Sequence, residues 1–190
     1  MTITDKINVL DLLKKTNSVL EGHFKLSSGL HSNRYFQCAK LLQYPDIVEK
    51  VATELAGIFT EEIDTVVGPA LGGIIIAYEV ARALGKKSIF VERKDSIFCL
   101  RRGFELSKGE RILIIEDVIT TAKSIKEAVE VVEKLGGNVV GYGCIVDRSQ
   151  GKTDLNIKSL IQMEVQEFEP NNCPLCRQNI PVTKPGSRNI

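Results

Sequence analysis

No stretch of this chain is apolar for more than a few residues, so no segment reads as a membrane span. The opening Met1-Thr2-Ile3-Thr4-Asp5-Lys6 is broken by charge and followed by no apolar core. It does not read as a secretory signal, and a cytoplasmic location is expected. A charge surplus is also missing: 25 basic against 24 acidic side chains give a formal net charge of +1. That excludes nucleic-acid binding through a broadly basic surface. The five cysteines, Cys38, Cys99, Cys144, Cys173 and Cys176, are odd in number and form no evident disulfide set. Two familiar glycine motifs are absent. Gly68 to Gly73 is followed by Ile74-Ile75, not by Lys and a hydroxyl residue, and Gly141-Tyr142-Gly143 lacks a third glycine. There is no internal repeat or low-complexity block.

What remains is 190 residues of ordinary composition, 43% hydrophobic and 26% charged, long enough for one domain with a real core. Apolar positions Ile7, Val9, Leu10, Leu12, Leu13 and Leu20 predict a helix over 5–20, capped by Thr4 or Asp5. Gly22 to Asn33 reads as loop or irregular hairpin. Pro45 opens a second helix with Ile47, Val48, Val51, Leu55 and Phe59 on one face. Beyond it the chain alternates. Short apolar runs at 64–67, 88–91, 111–115 and 139–146 read as strands, with helices at 73–84 and 123–135 between them. Gly85 and Gly136-Gly137 stop the helices. A charged excursion fills 93–109, and a last strand is expected over 157–165. The pattern predicts an open, mostly parallel α/β sheet with helices on both faces. We divide the chain into an N-terminal hood (1–44), an α/β core (45–166) and a tail (167–190). The tail's Pro170, Pro174, Pro181 and Pro185 suggest an extended appendage.

In such a sheet ligands bind outside the carboxyl ends of the strands. The most informative end is Ile112-Leu113-Ile114-Ile115-Glu116-Asp117-Val118-Ile119-Thr120-Thr121-Ala122-Lys123-Ser124. A buried strand delivers two adjacent acids, then hydroxyl and small residues turn into a helix. The helix N-terminus can cradle a phosphate. The carboxylates repel phosphate and suit sugar hydroxyls, Mg²⁺ or positive charge on a ribose carbon. The plain alternative is an acidic strand end capping a helix. Cys173-Pro174-Leu175-Cys176 has metal-ligand spacing but no second pair nearby, and His23 and His31 are distant in sequence. Cys173 and Cys176 are therefore weak zinc candidates. A compact turn with two thiols, a metal shared across a dimer, or a site completed by a distant thiol all stay open.

The acid pair and hydroxyl loop resemble the 5-phosphoribosyl-1-diphosphate (PRPP) signature of the type I phosphoribosyltransferases, and within them the orotate phosphoribosyltransferases of a short bacterial-type branch. Phe24-Lys25-Leu26-Ser27-Ser28-Gly29-Leu30-His31-Ser32-Asn33-Arg34-Tyr35-Phe36 is similar to their base-covering segment. Gly68-Pro69-Ala70-Leu71-Gly72-Gly73 is similar to their diphosphate loop, and Asp147-Arg148 to their orotate-facing pair. Leu100-Arg101-Arg102-Gly103-Phe104 and the Cys-Pro-Leu-Cys element suggest the branch.

The resemblance implies transfer of phosphoribosyl from PRPP to orotate in pyrimidine (UMP) synthesis. Mg²⁺ would be held by the diphosphate and ribose hydroxyls, without direct protein ligands. Glu116 and Asp117 would hold the ribose, and Val118 to Ser124 the 5′-phosphate. Ala70, Leu71, Gly72 and Gly73 would hold the diphosphate. Arg93, Lys94, Arg101 and Arg102 would form a catalytic basic lid. Arg148, Tyr35, Phe36, Ser28 and Thr120 would receive orotate. For Arg148 the plain alternative is an ion pair with Asp147. For the glycine loop it is a turn that needs glycine for packing, and for the lid a solvated charged loop. A homodimer is implied, with no nucleic-acid or membrane partner. A purine-type enzyme and a non-catalytic PRPP-sensing regulator are the alternatives. Where the family commonly carries lysine, this chain has Ser27 and Gly72. Ala122 and Lys123 replace a usual glycine and small hydroxyl residue, and no histidine lies within 93–109.

Overall fold

A computed structural model describes residues 7–26 and 28–185. The caps expected at Thr4 or Asp5, and Ser27 of the base-covering segment, lie outside the described residues. Helix α1 (Val9–Lys15) is shorter than its apolar spacing predicts, and Asn8 caps it by accepting from the Asp11 amide. It stops because the Thr16 hydroxyl turns back onto the Leu12 carbonyl at 2.8 Å and Asn17 takes a left-handed φ of 53°. The chain then enters β1 (Val19–Lys25), which pairs antiparallel with β2 (His31–Phe36). Of the two readings of this segment, loop or irregular hairpin, the structure shows the irregular hairpin, with a bulge between Glu21 and Phe24.

After α2 (Ala39–Leu42) comes α3 (Pro45–Ala56), started by its proline and burying Val48, Val51 and Leu55. The core continues as β3 (Thr65–Pro69), α4 (Gly72–Leu84), β4 (Lys87–Lys94), β5 (Ile97–Leu100), β6 (Arg111–Ile119), α5 (Lys123–Lys134), β7 (Asn138–Asp147) and β8 (Ile157–Gln162). The sheet order is β5-β4-β3-β6-β7-β8, parallel throughout except for the antiparallel edge pair β4–β5. This is the mostly parallel α/β sheet the alternation predicts. Side chains of β6 alternate between two cores. Leu113 and Ile115 pack with α3 and α4, while Ile112 and Ile114 pack with α5.

Three stretches depart from expectation. The charged run 93–109 opens with the rest of a β-hairpin. Strand β4 extends to Lys94, Asp95 and Ser96 turn with positive φ, and β5 returns. Its register places Arg93 opposite Phe98, and buried Phe98 anchors it beneath a charged exterior that hid the strand period. Strand β6 runs on to Ile119, so Glu116 and Asp117 lie within it. Strand β8 ends at Gln162, short of 165. The proline-bearing tail folds back onto the hairpin through β9 (Glu167–Phe168), a 3-10 turn (Pro170–Asn172) and α6 (Pro174–Arg177). Strand β9 extends the β1–β2 sheet by pairing with His31 and Ser32.

Candidate functional site

The carboxyl ends of β3, β6 and β7 meet at one edge of the sheet. Glu116 is buried and Asp117 half-buried, and both press against the loop that leaves β3. A Cβ placed on Gly72 would sit 2.6 Å from the Asp117 Oδ1, and one on Gly73 would sit 3.0 Å from the Glu116 Oε1. Glycine is required here because the loop backbone and the acid pair touch. Gly68 has a packing role as well, since its Cβ would lie 2.5 Å from the Gly73 carbonyl oxygen. All three glycines thus have a packing role in the loop. The Ala70 amide is not free to meet an anion: it donates to the Val91 carbonyl at 2.8 Å. This corrects its expected donor role. Leu71 projects outward, 85% exposed.

Burial pushes the Glu116 carboxyl well above its usual range, and the neighbouring Asp117 charge adds to this. Burial raises Asp117 also, opposed by a 2.8 Å hydrogen bond its Oδ1 accepts from the Val118 amide. Behind them lies Cys38, whose thiol is raised by its own burial and by the same acids. Two carboxyls held this way favour a hydroxylic or cationic neighbour that restores what water no longer supplies.

Past Ile119 the chain exposes Thr120 and Thr121, then Ala122 in the left-handed conformation (φ 56°) that glycine adopts more easily. No side chain caps α5, so its first amides face the loop beside the acids. Ser124 is half-buried in that first turn. Lys123 points mainly to solvent, with its ammonium 3.9 Å from Glu127.

Arg148 follows β7, and its amide donates to the Ile119 carbonyl at 2.8 Å, which sets it beside Thr120. Its side chain is only 8% exposed and stands over the Phe36 ring at 5.1 Å. Its charged partner is Glu167 of β9, at 3.6 Å, and not Asp147. Asp147 instead accepts from the Ser149 amide at 2.8 Å and shapes the turn. The Arg148 Nε is buried with no hydrogen-bond partner among the described residues. Burial lowers the guanidinium's pKa, with the Glu167 charge acting against it. Phe36 and Arg148 form one wall, while Tyr35, the preceding residue of β2, packs its ring 5.9 Å from that of Phe24. Ser28 lies in the exposed turn beyond the hairpin, where its Oγ accepts from the Leu30 amide; the structure does not bring it to Arg148.

The lid cations are engaged within the chain. Arg93 binds Glu127 of α5 and stacks on Phe98 at 4.0 Å. Arg102 grips Glu92 with Nε at 2.7 Å and a second nitrogen at 3.0 Å, and Arg101 lies 3.5 Å from the same carboxylate. Lys94 is exposed at the hairpin tip. The partners Glu92, Glu127 and Glu167 had no sequence signal, because each meets its arginine only through tertiary folding.

Residues 38–171 match the phosphoribosyl transferase domain family. The chain is 51% identical to an orotate phosphoribosyltransferase of Desulforamulus reducens, over 96% of this chain and 97% of that protein. It is also 51% identical to an orotate phosphoribosyltransferase of Caldanaerobacter subterraneus subsp. tengcongensis, over 98% of this chain and 100% of that protein. Among solved structures, the orotate phosphoribosyltransferase of Aeropyrum pernix superposes with a TM-score of 0.70 at 27% identity. That superposition covers 82% of this chain and 94% of that one.

Proposed function

The chain belongs to the phosphoribosyltransferase family, among its orotate phosphoribosyltransferases, and from that premise we propose how its residues carry the reaction. The enzyme transfers the 5-phosphoribosyl group from PRPP to orotate, giving orotidine 5′-monophosphate and diphosphate for pyrimidine synthesis. Glu116 and Asp117 accept hydrogen bonds from the ribose hydroxyls. Their negative charge lies near the anomeric carbon as its bond to diphosphate breaks and positive charge develops. The α5 N-terminus with Thr120, Thr121 and Ser124 receives the 5′-phosphate. Leu71, Gly72 and Gly73 line the diphosphate side. The two carboxyls fit Mg²⁺ chemistry: Glu116 and Asp117 would hold the ribose hydroxyls beside a hard cation that prefers oxygen. When bound, Mg²⁺ neutralises the leaving diphosphate.

The observation that carries the base assignment is the Nε of Arg148, buried beside Phe36 with no hydrogen-bond partner among the described residues. A planar guanidinium with an unused donor suits a flat anionic pyrimidine, whose carboxylate it can grip as a fork. A neutral purine offers no carboxylate to that fork, and only Glu167 would balance its charge. Arg93, Arg101 and Arg102 act as the lid, with exposed Lys94 at its tip, once the three arginines exchange Glu127 and Glu92 for the polyanion; the closed lid excludes the hydrolysing water. The working form is a cytoplasmic homodimer. Its support is the apolar stripe Leu71, Ile75 and Tyr78 exposed along α4.

Incubation with PRPP, Mg²⁺ and each base tests the assignment by following orotate absorbance. Orotate consumption with diphosphate release is expected. Turnover with adenine or hypoxanthine alone would move the assignment to a purine enzyme, and PRPP binding without turnover on any base would indicate a regulator. Arg148→Ala should raise the KM for orotate by roughly 10- to 100-fold, the loss of about 1.5–3 kcal/mol from a charged hydrogen bond, with the KM for PRPP little changed. An unchanged KM for orotate would assign its carboxylate to another residue.

A further inference from the structure

Away from the sheet edge, four side chains from three segments converge. His23 lies on β1, His31 begins β2, and Cys173 and Cys176 flank the first turn of α6. One ligand atom from each lies within 4.8 Å of all the others. The Cys176 Sγ is 3.3 Å from the His31 Nδ1 and 3.7 Å from the His23 Nε2, and the Cys173 Sγ is 3.5 Å from the same Nε2. A tetrahedral ion with metal–nitrogen bonds of about 2.0–2.1 Å and metal–sulfur bonds of about 2.3 Å holds its ligand atoms about 3.3–3.8 Å apart. These three sulfur-to-nitrogen distances fall in that range. The two ring nitrogens stand closer, at 2.8 Å, and a small rotation of the His31 ring opens that edge.

The outer contacts of the cluster fit a metal. The His23 Nδ1 donates to the Ile180 carbonyl at 2.7 Å, which fixes the tautomer and leaves the Nε2 lone pair directed into the cluster. His23, His31 and Cys173 are 3%, 7% and 1% exposed, so three ligands are shielded while Cys176 closes the set at the surface. Two thiols and two imidazoles facing one point suit zinc better than a hard cation that prefers oxygen.

The fold supplies an independent reason. Cys173 is the only buried residue described between 167 and 185. The tail has no apolar core of its own, and β9 contributes just two paired residues. Beyond α6 the tail adds hydrogen bonds of Thr183 with His23 and Lys25. Such a segment needs a staple to stay ordered, as small units with little core generally do.

We infer that His23, His31, Cys173 and Cys176 form a structural zinc site that clasps the C-terminal tail to the N-terminal hairpin. Both thiols bind as thiolates and release their protons to solvent on metal entry, and the closed four-ligand set leaves no position for catalysis. The site stands whichever base the enzyme uses. It settles the open choice at the Cys-Pro-Leu-Cys element: the missing ligands are the two histidines, brought in by the hairpin.

The test is elemental analysis of untagged protein purified from zinc-supplemented cells, together with Co²⁺ substitution. About one zinc per chain is expected. Co²⁺ added to metal-stripped protein should give a near-ultraviolet thiolate-to-cobalt band and the visible bands of a tetrahedral ion. Cys176→Ser, at the exposed ligand, should cut zinc content roughly tenfold and sharpen proteolytic cleavage within 167–185, while Cys99→Ser keeps full zinc. The Co²⁺ spectrum uses the wild-type chain, so the result does not depend on a variant folding. Folded wild-type protein without zinc and without a thiolate–cobalt band would overturn the site. So would a Cys173–Cys176 disulfide in the purified protein, or full zinc in Cys176→Ser.

Discussion

At the scale of residues, the acid pair holds the sharpest tension between stability and function. Glu116 is buried against a second carboxyl, so its proton is bound more tightly in the fold than in the unfolded chain. The associated stability is present at low pH and is lost as pH rises through the raised pKa of the folded state. Glu116→Gln removes this dependence. The variant's Tm should exceed that of the wild type at pH 8, by roughly 2–4 °C for each kcal/mol relieved, with a smaller gap near pH 5. Equal gaps at the two pH values would show that charge burial is not the cause. Turnover should fall in the same variant. In Asp117→Asn it should fall about 100-fold or more with the fold retained, as when one stabilising group at a developing charge is removed. Wild-type turnover in Asp117→Asn would end the ribose-binding role. The acids were legible in the sequence because they are adjacent and end a conspicuous apolar run. Arg148 was legible as a residue but its partner was not. Glu167 reaches it only after the tail returns to β2, a contact no local pattern encodes.

At the scale of elements, strand and helix positions followed from period and punctuation, and the errors lie where side chains obscure the period. The charged exterior of β4 and β5 hid a hairpin whose inward signal is mainly Phe98. Prolines in the tail suggested extension, yet Pro170 and Pro174 open short helical turns, where a missing amide costs nothing. Two glycines at opposite ends of α4 separate local propensity from function. Gly85 closes the helix at φ 66° with open space where a Cβ would lie. Gly85→Ala should cost about 1 kcal/mol, or roughly 2–4 °C in Tm, with kcat unchanged. Gly72 starts the same helix against Asp117, and Gly72→Ala drives a methyl into that carboxylate. It should impair PRPP binding and turnover far more than Tm. If the two variants lose stability and activity in the same proportion, Gly72 acts only through packing.

At the scale of the whole molecule, the near-zero net charge is a balance struck locally. Arg93, Arg101 and Arg102 are held by Glu127 and Glu92 on the lid side, while among the described residues no cation pairs with Glu116 or Asp117 at the sheet edge. On the proposed lid role a polyanionic substrate competes with these glutamates for the arginines, and in the proposed homodimer a second subunit would offer another source of cations. The surface supports that arrangement. Leu71, Ile75 and Tyr78, 85%, 48% and 60% exposed, recur at helical spacing from the diphosphate loop along α4. Apolar side chains aligned this way mark a contact face. In the proposed homodimer, a partner seated on them would stand beside Gly72 and Gly73 at the mouth of the site. Sedimentation of the wild type should give twice the 21.0 kDa chain mass at micromolar concentration. Tyr78→Asp, which places a charge in the middle of the stripe, should shift the mass toward one chain and lower turnover per chain. Mixing that variant with inactive Asp117→Asn subunits, whose stripe is intact, should restore part of the lost activity only if dimers form across this face. A wild type that sediments as a single chain and turns over normally would remove the partner from the mechanism.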